Sequence, residues 1–280
     1  QALHWKTKEG LVRGCSCRGT AGFAHVSCLA EQAKILYAEA EANNLDWEAK
    51  NPRWLRWCTC SLCKQDYRDV VRCALGWACW KTYVGRPEAD WARVRAMSVL
   101  GAGLFTANHH DAALSVQEID LAMTLRLGAP EQNVLVAQSN LANTYYALGR
   151  LEEALPLRRV VYSRTLRLLG EEHGDTLMAA NNYAMTLLEL QRFEEAKRVL
   201  RKVAPVARRV LGTEHELTLS LREDLSRATL DGESSAEEKR EALQMLEDTV
   251  AVMRRVLGPA HPDTVHAQGW LKKVYRQRTE

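Results

Sequence analysis

Leu141-Ala142-Asn143-Thr144-Tyr145-Tyr146-Ala147-Leu148-Gly149-Arg150-Leu151-Glu152-Glu153-Ala154 is the stretch that decides the fold. Leu141, Ala142, Tyr145 and Leu148 fall on one face of a 3.6-residue rhythm, which predicts an amphipathic helix. The rhythm breaks at Gly149 and resumes, with Leu155, Val160, Leu166 and Leu169 lining a second helix. Two helices joined by so short a turn make a hairpin. Ala154 follows a Glu-Glu pair, and Ala196 and Ala242 stand in equivalent places after a Glu-Glu pair and a Lys-Arg-Glu run. A small residue there lets the two helices approach closely, and a bulky one would push them apart.

Working outward, the hairpin recurs. The element Leu-Gly-x-x-His-x-x-Thr occurs at Leu169, Gly170, His173 and Thr176, at Leu211, Gly212, His215 and Thr218, and at Leu257, Gly258, His261 and Thr264. Leu127-Gly128 is a diverged earlier copy, and Gly128, Gly170 and Gly212 stand at equal intervals. Gly258 comes slightly late, and its extra residues fall in the polar run Asp231-Gly232-Glu233-Ser234-Ser235, which reads as a lengthened loop. The period predicts four hairpins at 90–128, 130–170, 172–212 and 214–258, closed by a polar capping helix within 259–280.

The pattern of residues 141–154, repeated from Tyr183-Ala184 through Phe193-Glu194-Glu195-Ala196, resembles the tetratricopeptide repeat. The length of the period, together with Leu-Gly-x-x-His, resembles its kinesin light chain subclass, over about residues 90–278. The resemblance implies a mainly α fold, a superhelix of helical hairpins, with a groove that binds an extended peptide or partner helix. Family members use groove asparagines to hold peptide backbones, which points to Asn140, Asn143 and Asn182 as peptide-binding candidates; the alternative is surface or intra-repeat polar residues. His173, His215 and His261 occur once per repeat, on separate turns, and fit a helix-start or loop-packing role rather than a shared metal.

The chain has 280 residues, 46% hydrophobic and 26% charged, with a mean hydropathy of −0.31 and a net charge of +3. That is the range of a chain able to bury a core. No global field favours nucleic acid or an anionic membrane, and no basic-aromatic patch suggests nucleic acid. No apolar window reaches the roughly 18 residues a spanning helix needs, and no secretory signal opens the chain. The expected compartment is the cytosol or the nucleus. The first residue is Gln1 rather than Met, which suggests a start inside a longer product.

All eight cysteines lie between Cys15 and Cys79, and the rest of the chain has none. In a reducing compartment such clustering points to metal rather than disulfides. Cys15 and Cys17, then His25 and Cys28, then Cys60 and Cys63 form the series Cys-x-Cys-x7-His-x2-Cys followed by Cys-x2-Cys. Each short pair can deliver two ligands to one tetrahedral ion, so six candidates imply more than one zinc. Cys58 is ambiguous, either replacing Cys60 or standing as a spare thiol. Cys73 and Cys79, in an apolar run that ends at Trp80, read as core thiols.

Residues 12–70, with the core Gly19-Thr20-x-x-Phe23-x-His25-x-x-Cys28-Leu29, resemble the RING-CH zinc finger of ubiquitin ligases. The resemblance implies that Cys15, Cys17, Cys60 and Cys63 complete one zinc site and that His25 and Cys28 are half of another. It also implies a ubiquitin-conjugating enzyme as partner, with Trp54 or Trp57 as the spacer aromatic that contacts it. The first Cys-x2-Cys pair of the family is absent between Gln1 and Gly14, and the stretch from Cys28 to Cys60 exceeds the usual spacer. The missing pair lies upstream of Gln1, or the module has lost one ion. A helix over 31–44 accounts for the long spacer as an insertion.

The expected organisation is therefore a zinc module over 1–70, an aromatic junction over 71–89, and the repeats. Two functions follow from it. The first is a RING-type ubiquitin ligase, or a remnant of one, which catalyses by positioning a charged conjugating enzyme and forms no covalent intermediate. The second is a non-enzymatic adaptor whose zinc module caps the repeats, with Trp77, Trp80, Tyr83 and Trp91 burying the junction. Hydrolase and other metalloenzyme classes find no nucleophile motif, phosphate loop or His-Glu-x-x-His element.

Overall fold

A computed structural model describes residues 7–17 and 22–279 of the chain. Gly19 and Thr20 of the RING-CH-like core, and the terminal Gln1 and Glu280, lie outside the described residues. The fold is mainly helical and divides into two compact units, Gln1–Leu148 and Gly149–Glu280.

The first unit opens with a two-stranded antiparallel hairpin, β1 Val12–Arg13 and β2 Phe23–Ala24, in which Val12 faces Ala24. Helix α1, Val26–Ala42, follows directly on His25. It starts earlier than the helix expected over 31–44 and so takes in Cys28. Glu9 accounts for the early start, because its carboxylate accepts from both the Ser27 N–H (2.8 Å) and the Ser27 hydroxyl (2.7 Å). A carboxylate there satisfies a first-turn N–H and complements the helix dipole.

Helix α2, Trp47–Trp54, is capped by Asp46 and runs into a 3-10 turn, Leu55–Trp57. Much of the expected junction 71–89 is helix α3, Asp69–Tyr83. Then come α4 (Trp91–Thr106), α5 (His110–Arg126) and α6 (Glu131–Ala147). Helices α3 and α4 meet through glycines. A methyl group on Gly103 would lie 2.7 Å from the Arg72 carbonyl oxygen, and one on Gly76 would lie 3.1 Å from Leu100 Cα.

An aromatic core binds these elements together. Trp54 packs on Trp91 (4.8 Å between ring centroids), Tyr37 (5.0 Å) and Tyr83 (5.4 Å), and Trp57 meets Tyr83 edge-on. Rings of this size remove about 150–250 Å² each from water, roughly 4–6 kcal/mol apiece before conformational entropy is subtracted. Arg86 closes the rim, bidentate to Glu41 at 2.7 Å and stacked over Tyr83.

The second unit contains α7 (Leu151–Leu169), α8 (Gly174–Glu189), α9 (Phe193–Leu211), α10 (Glu216–Asp231), α11 (Ala236–Val256) and α12 (Pro262–Thr279). Its core is aliphatic: Leu177, Leu187, Leu188, Leu200 and Leu221 are fully enclosed, and Ala154, Ala196 and Ala242 are buried. Each Leu-Gly pair ends a helix, and Gly170 and Gly212 adopt φ 84°, ψ 173° and φ 95°, ψ 165°. That region is open essentially to glycine alone, which is why the element requires this residue.

The histidine of the same element starts the next helix. Nδ1 of His173 accepts from the Asp175 N–H (3.1 Å), and Nδ1 of His215 accepts from the Leu217 N–H (3.2 Å). The inserted loop 231–235 is tied down by Lys197, which is 3% exposed. Its ammonium reaches the Glu194 carboxylate (2.6 Å), the Glu233 carbonyl (3.0 Å) and the Ser234 hydroxyl (2.8 Å).

Candidate functional site

The thiols of Cys15, Cys17, Cys60 and Cys63 lie within 4.8 Å of one another. Cys15 and Cys17 come from the loop after β1, and Gly14 lets that loop press on α3, since a methyl there would collide with Val71 at 2.6 Å. Cys60 and Cys63 come from a tight turn closed by the Cys60 N–H to the Gln65 carbonyl (2.9 Å) and the Lys64 N–H to the Cys60 carbonyl (3.1 Å). Lys64 takes a positive φ of 59° to complete it. Tyr67, Val71 and Leu75 back the cluster, with Val12, Val26 and Leu29 at its edge.

The donor set fits zinc. Four sulfurs at about 2.3 Å from a tetrahedral ion stand roughly 3.8 Å apart, and Cys17 Sγ lies 3.7 Å from Cys60 Sγ. Burial raises the Cys60 thiol, but the backbone N–H groups of Cys63 and Leu62, together with hydrogen bonds from Cys15 and Cys17, outweigh it and hold the thiol at about 7. Such donors are the outer support a thiolate ligand needs. Burial, then the sulfurs of Cys15, Cys60 and Cys63, push Cys17 up to about 12. A cation shared by all four would relieve that mutual repulsion.

The other candidate residues fall elsewhere. His25 and Cys28 stand at the start of α1, Nδ1 to Sγ 3.8 Å, outside the four-thiol cluster and with Cys28 exposed. Cys58 is buried against the aromatic core, so the ambiguity between it and Cys60 resolves in favour of Cys60 as the clustered thiol. Cys79 is fully buried and Cys73 half-buried. Trp54 and Trp57 are 1% and 0% exposed. Both rings are core, and an enzyme surface cannot reach them. The spacing identified them as aromatics but could not say which way they face.

Asn140, Asn143 and Asn182 are half-buried on the first helices of their repeats. The Asn182 carbonyl accepts from the Arg158 guanidinium (2.6 Å) and from Thr186 (3.1 Å), and the Asn140 carbonyl accepts from Thr144 (3.3 Å). Two further residues escaped the sequence reading. Glu223 and Asp224 are both buried on α10, and Glu223 meets His266 of α12 at 2.8 Å. The repeat register held the signal. Asn181 and Asn182 stand one full period before Glu223 and Asp224, so amides give way to acids in one repeat.

Comparison with known proteins places the repeat fold. Tetratricopeptide repeat family models match residues 133–205, 175–238 and 233–263, and no RING-CH model matches. Among solved structures, the chain is similar to the nearly identical TPR-like repeats named for kinesin light chain from Podosopora anserina. Identity is 19% over 82% of this chain and 97% of that one, with a TM-score of 0.55. It is also similar to BtubC (BKLC) from P. vanneervenii, at 17% identity over 90% of this chain and 82% of that one, TM-score 0.55. No curated protein matches the chain. Among the described residues, no helix is long and apolar enough to cross a membrane. The fold is that of a tetratricopeptide protein-interaction scaffold, and its N-terminal cysteine cluster can hold a metal ion.

Proposed function

We propose that the chain is a non-enzymatic adaptor in which one four-thiolate zinc site orders the N-terminal module and the first helices of the repeats hold a protein or peptide partner. The observation that carries this reading is the burial of Trp54 and Trp57 against Tyr37, Tyr83 and Trp91. The aromatics that a conjugating enzyme would require instead attach the cysteine module to α3 and α4. Four thiolates fill the coordination of zinc and leave no open position, which makes its role structural.

A second reading, the RING-CH ubiquitin ligase, draws support from Leu62. This side chain is 65% exposed on the turn between Cys60 and Cys63, where a partner enzyme can reach it. Zinc content by elemental analysis, combined with discharge of ubiquitin from charged conjugating enzymes, separates the two. The adaptor reading expects one ion per chain, lost in Cys60→Ser and retained in His25→Ala, with no acceleration of discharge. Two ions per chain, with discharge accelerated by the parent and abolished in Leu62→Ala, would replace the adaptor with the ligase.

A further inference from the structure

In the second unit, α8, α10 and α12 lie side by side and share polar contacts. Ser220 donates to Asn181 Oδ1 (3.5 Å), Arg227 donates to Glu189 (2.9 Å), and His266 Nδ1 lies 2.8 Å from Glu223. Residues on a helix turn by about 100° each, so Glu223 and Asp224 flank the stripe formed by Ser220 and Arg227. Glu223 is 6% exposed and Asp224 8%. Three carboxyl groups, of Glu189, Glu223 and Asp224, therefore meet one guanidinium and one imidazole.

Asp224 supplies the independent observation. Its Oδ2 is buried without any hydrogen-bond partner. The same side chain interacts electrostatically with Glu223, Arg227, His266 and Glu189, which places it within the face shared by the three helices. Burial first, and the Glu223 charge second, push it up to about 8. The Arg227 guanidinium is directed at Glu189 instead. A buried acceptor with no donor is costly unless a ligand completes it. The preceding repeat has Asn181 and Asn182 in this register, and the one before it Ser139 and Asn140, so the acidic pair belongs to this repeat alone among the three.

We propose that this face receives an arginine or lysine side chain of the partner segment, with Asp224 and Glu223 accepting hydrogen bonds from its cationic head. The inference rests on the adaptor reading of the repeats. Charge complementarity selects the occupant, because a cation donates where Asp224 lacks a donor and favours its ionised form, whereas an acidic segment would add a further carboxylate beside Glu189 and Glu223.

The test is selection from a random peptide display library on the full chain, on Asp224→Asn and on Glu223→Gln, with folding checked by circular dichroism. The parent is expected to enrich peptides with arginine or lysine at one fixed position. A labelled synthetic peptide of that sequence should bind at least about ten-fold more weakly when the basic residue becomes methionine, or when the protein carries Asp224→Asn. Combining both changes should cost little more than either alone. Enriched peptides with no basic position, or a preference that survives both variants, overturn the inference and leave the adaptor reading intact. No enrichment of any peptide overturns both.

Discussion

The cysteine module and the repeat helices of the second unit reach order by opposite routes. In the module, Cys17 meets Cys60 across 43 residues and Arg86 meets Glu41 across 45, so its order depends on contacts distant in sequence. Its stability comes from sulfur, rings and one bidentate ion pair. In the second unit each helix packs on its neighbours in sequence, and the same devices recur with the repeat: Gly170 and Gly212 end helices, His173 and His215 start them. Exposed pairs such as Arg209 with Glu172 and Arg255 with Glu214 also recur, though each is worth little. A module built from distant contacts fails as a whole when one anchor is removed. A repeat unit should lose stability by increments.

Removing the proposed zinc is the strongest way to break this contrast. Structural zinc contributes about 10–16 kcal/mol in small finger peptides, as much as the whole net stability of about 5–15 kcal/mol of a typical domain. Chelation, or Cys60→Ser, is expected to abolish amide protection across residues 22–83 and to red-shift tryptophan emission as Trp54 and Trp57 become hydrated. Amides of α8 to α11 should keep their protection in hydrogen exchange. Loss of protection in those helices as well, or no change anywhere, would defeat the contrast.

The contrast also governs what the sequence could reveal. The repeats were legible because a regular period multiplies a weak signal: one Leu-Gly-x-x-His is uninformative, three are not. The four clustered cysteines were legible because ligand pairs need close spacing. The direction of Trp54 and Trp57 was hidden, since only the arrival of Tyr83 and Trp91 from later helices decides that both rings turn inward. Helix α1 began at Val26 because of Glu9, a residue from another segment. Asp224 was hidden for a different reason: in the repeat register it looks like a conservative exchange for asparagine, and only burial reveals its cost.

Two glycines sharpen the comparison at intermediate size. Gly103→Ala drives a methyl group to 2.7 Å from the Arg72 carbonyl, and overpacking of this kind costs about 1–3 kcal/mol. Gly170→Ala forces a side chain into a glycine-only conformation, which also costs about 1–3 kcal/mol. The first is expected to lower the protection of α3 and α4, the second that of α7 and α8. Hydrogen exchange resolved by segment checks both.

Asp224→Asn sets pH against stability. The unfolded aspartate releases its proton near pH 4, whereas the folded one holds it to about 8. The folded state thus binds the extra proton between these values, and the parent loses stability as pH rises through that window. The neutral amide is indifferent to it. The variant should melt close to the parent at pH 4 and above it at pH 8, because only the parent loses stability across the window. An advantage that is constant with pH would show that Asp224 does not titrate with folding.

The smallest effect concerns a device the repeats share. The hydroxyls of Thr176, Thr218 and Thr264, the last residue of each Leu-Gly-x-x-His-x-x-Thr element, are buried with no hydrogen-bond partner. Each threonine is at most 1% exposed. Valine keeps the branched shape and a similar helix propensity while removing the unpaired group. An unsatisfied buried hydroxyl costs about 1–3 kcal/mol, part of which valine's apolar methyl recovers. Thr218→Val is therefore expected to raise the melting temperature slightly, by up to about 1 kcal/mol in stability, and Thr176→Val to do the same. A loss of stability in both would mean that the hydroxyl has a partner such as a bound water. Opposite signs in the two would mean that the elements are alike in sequence but not in energetics, and the incremental picture of the repeats would then fail at its most regular feature.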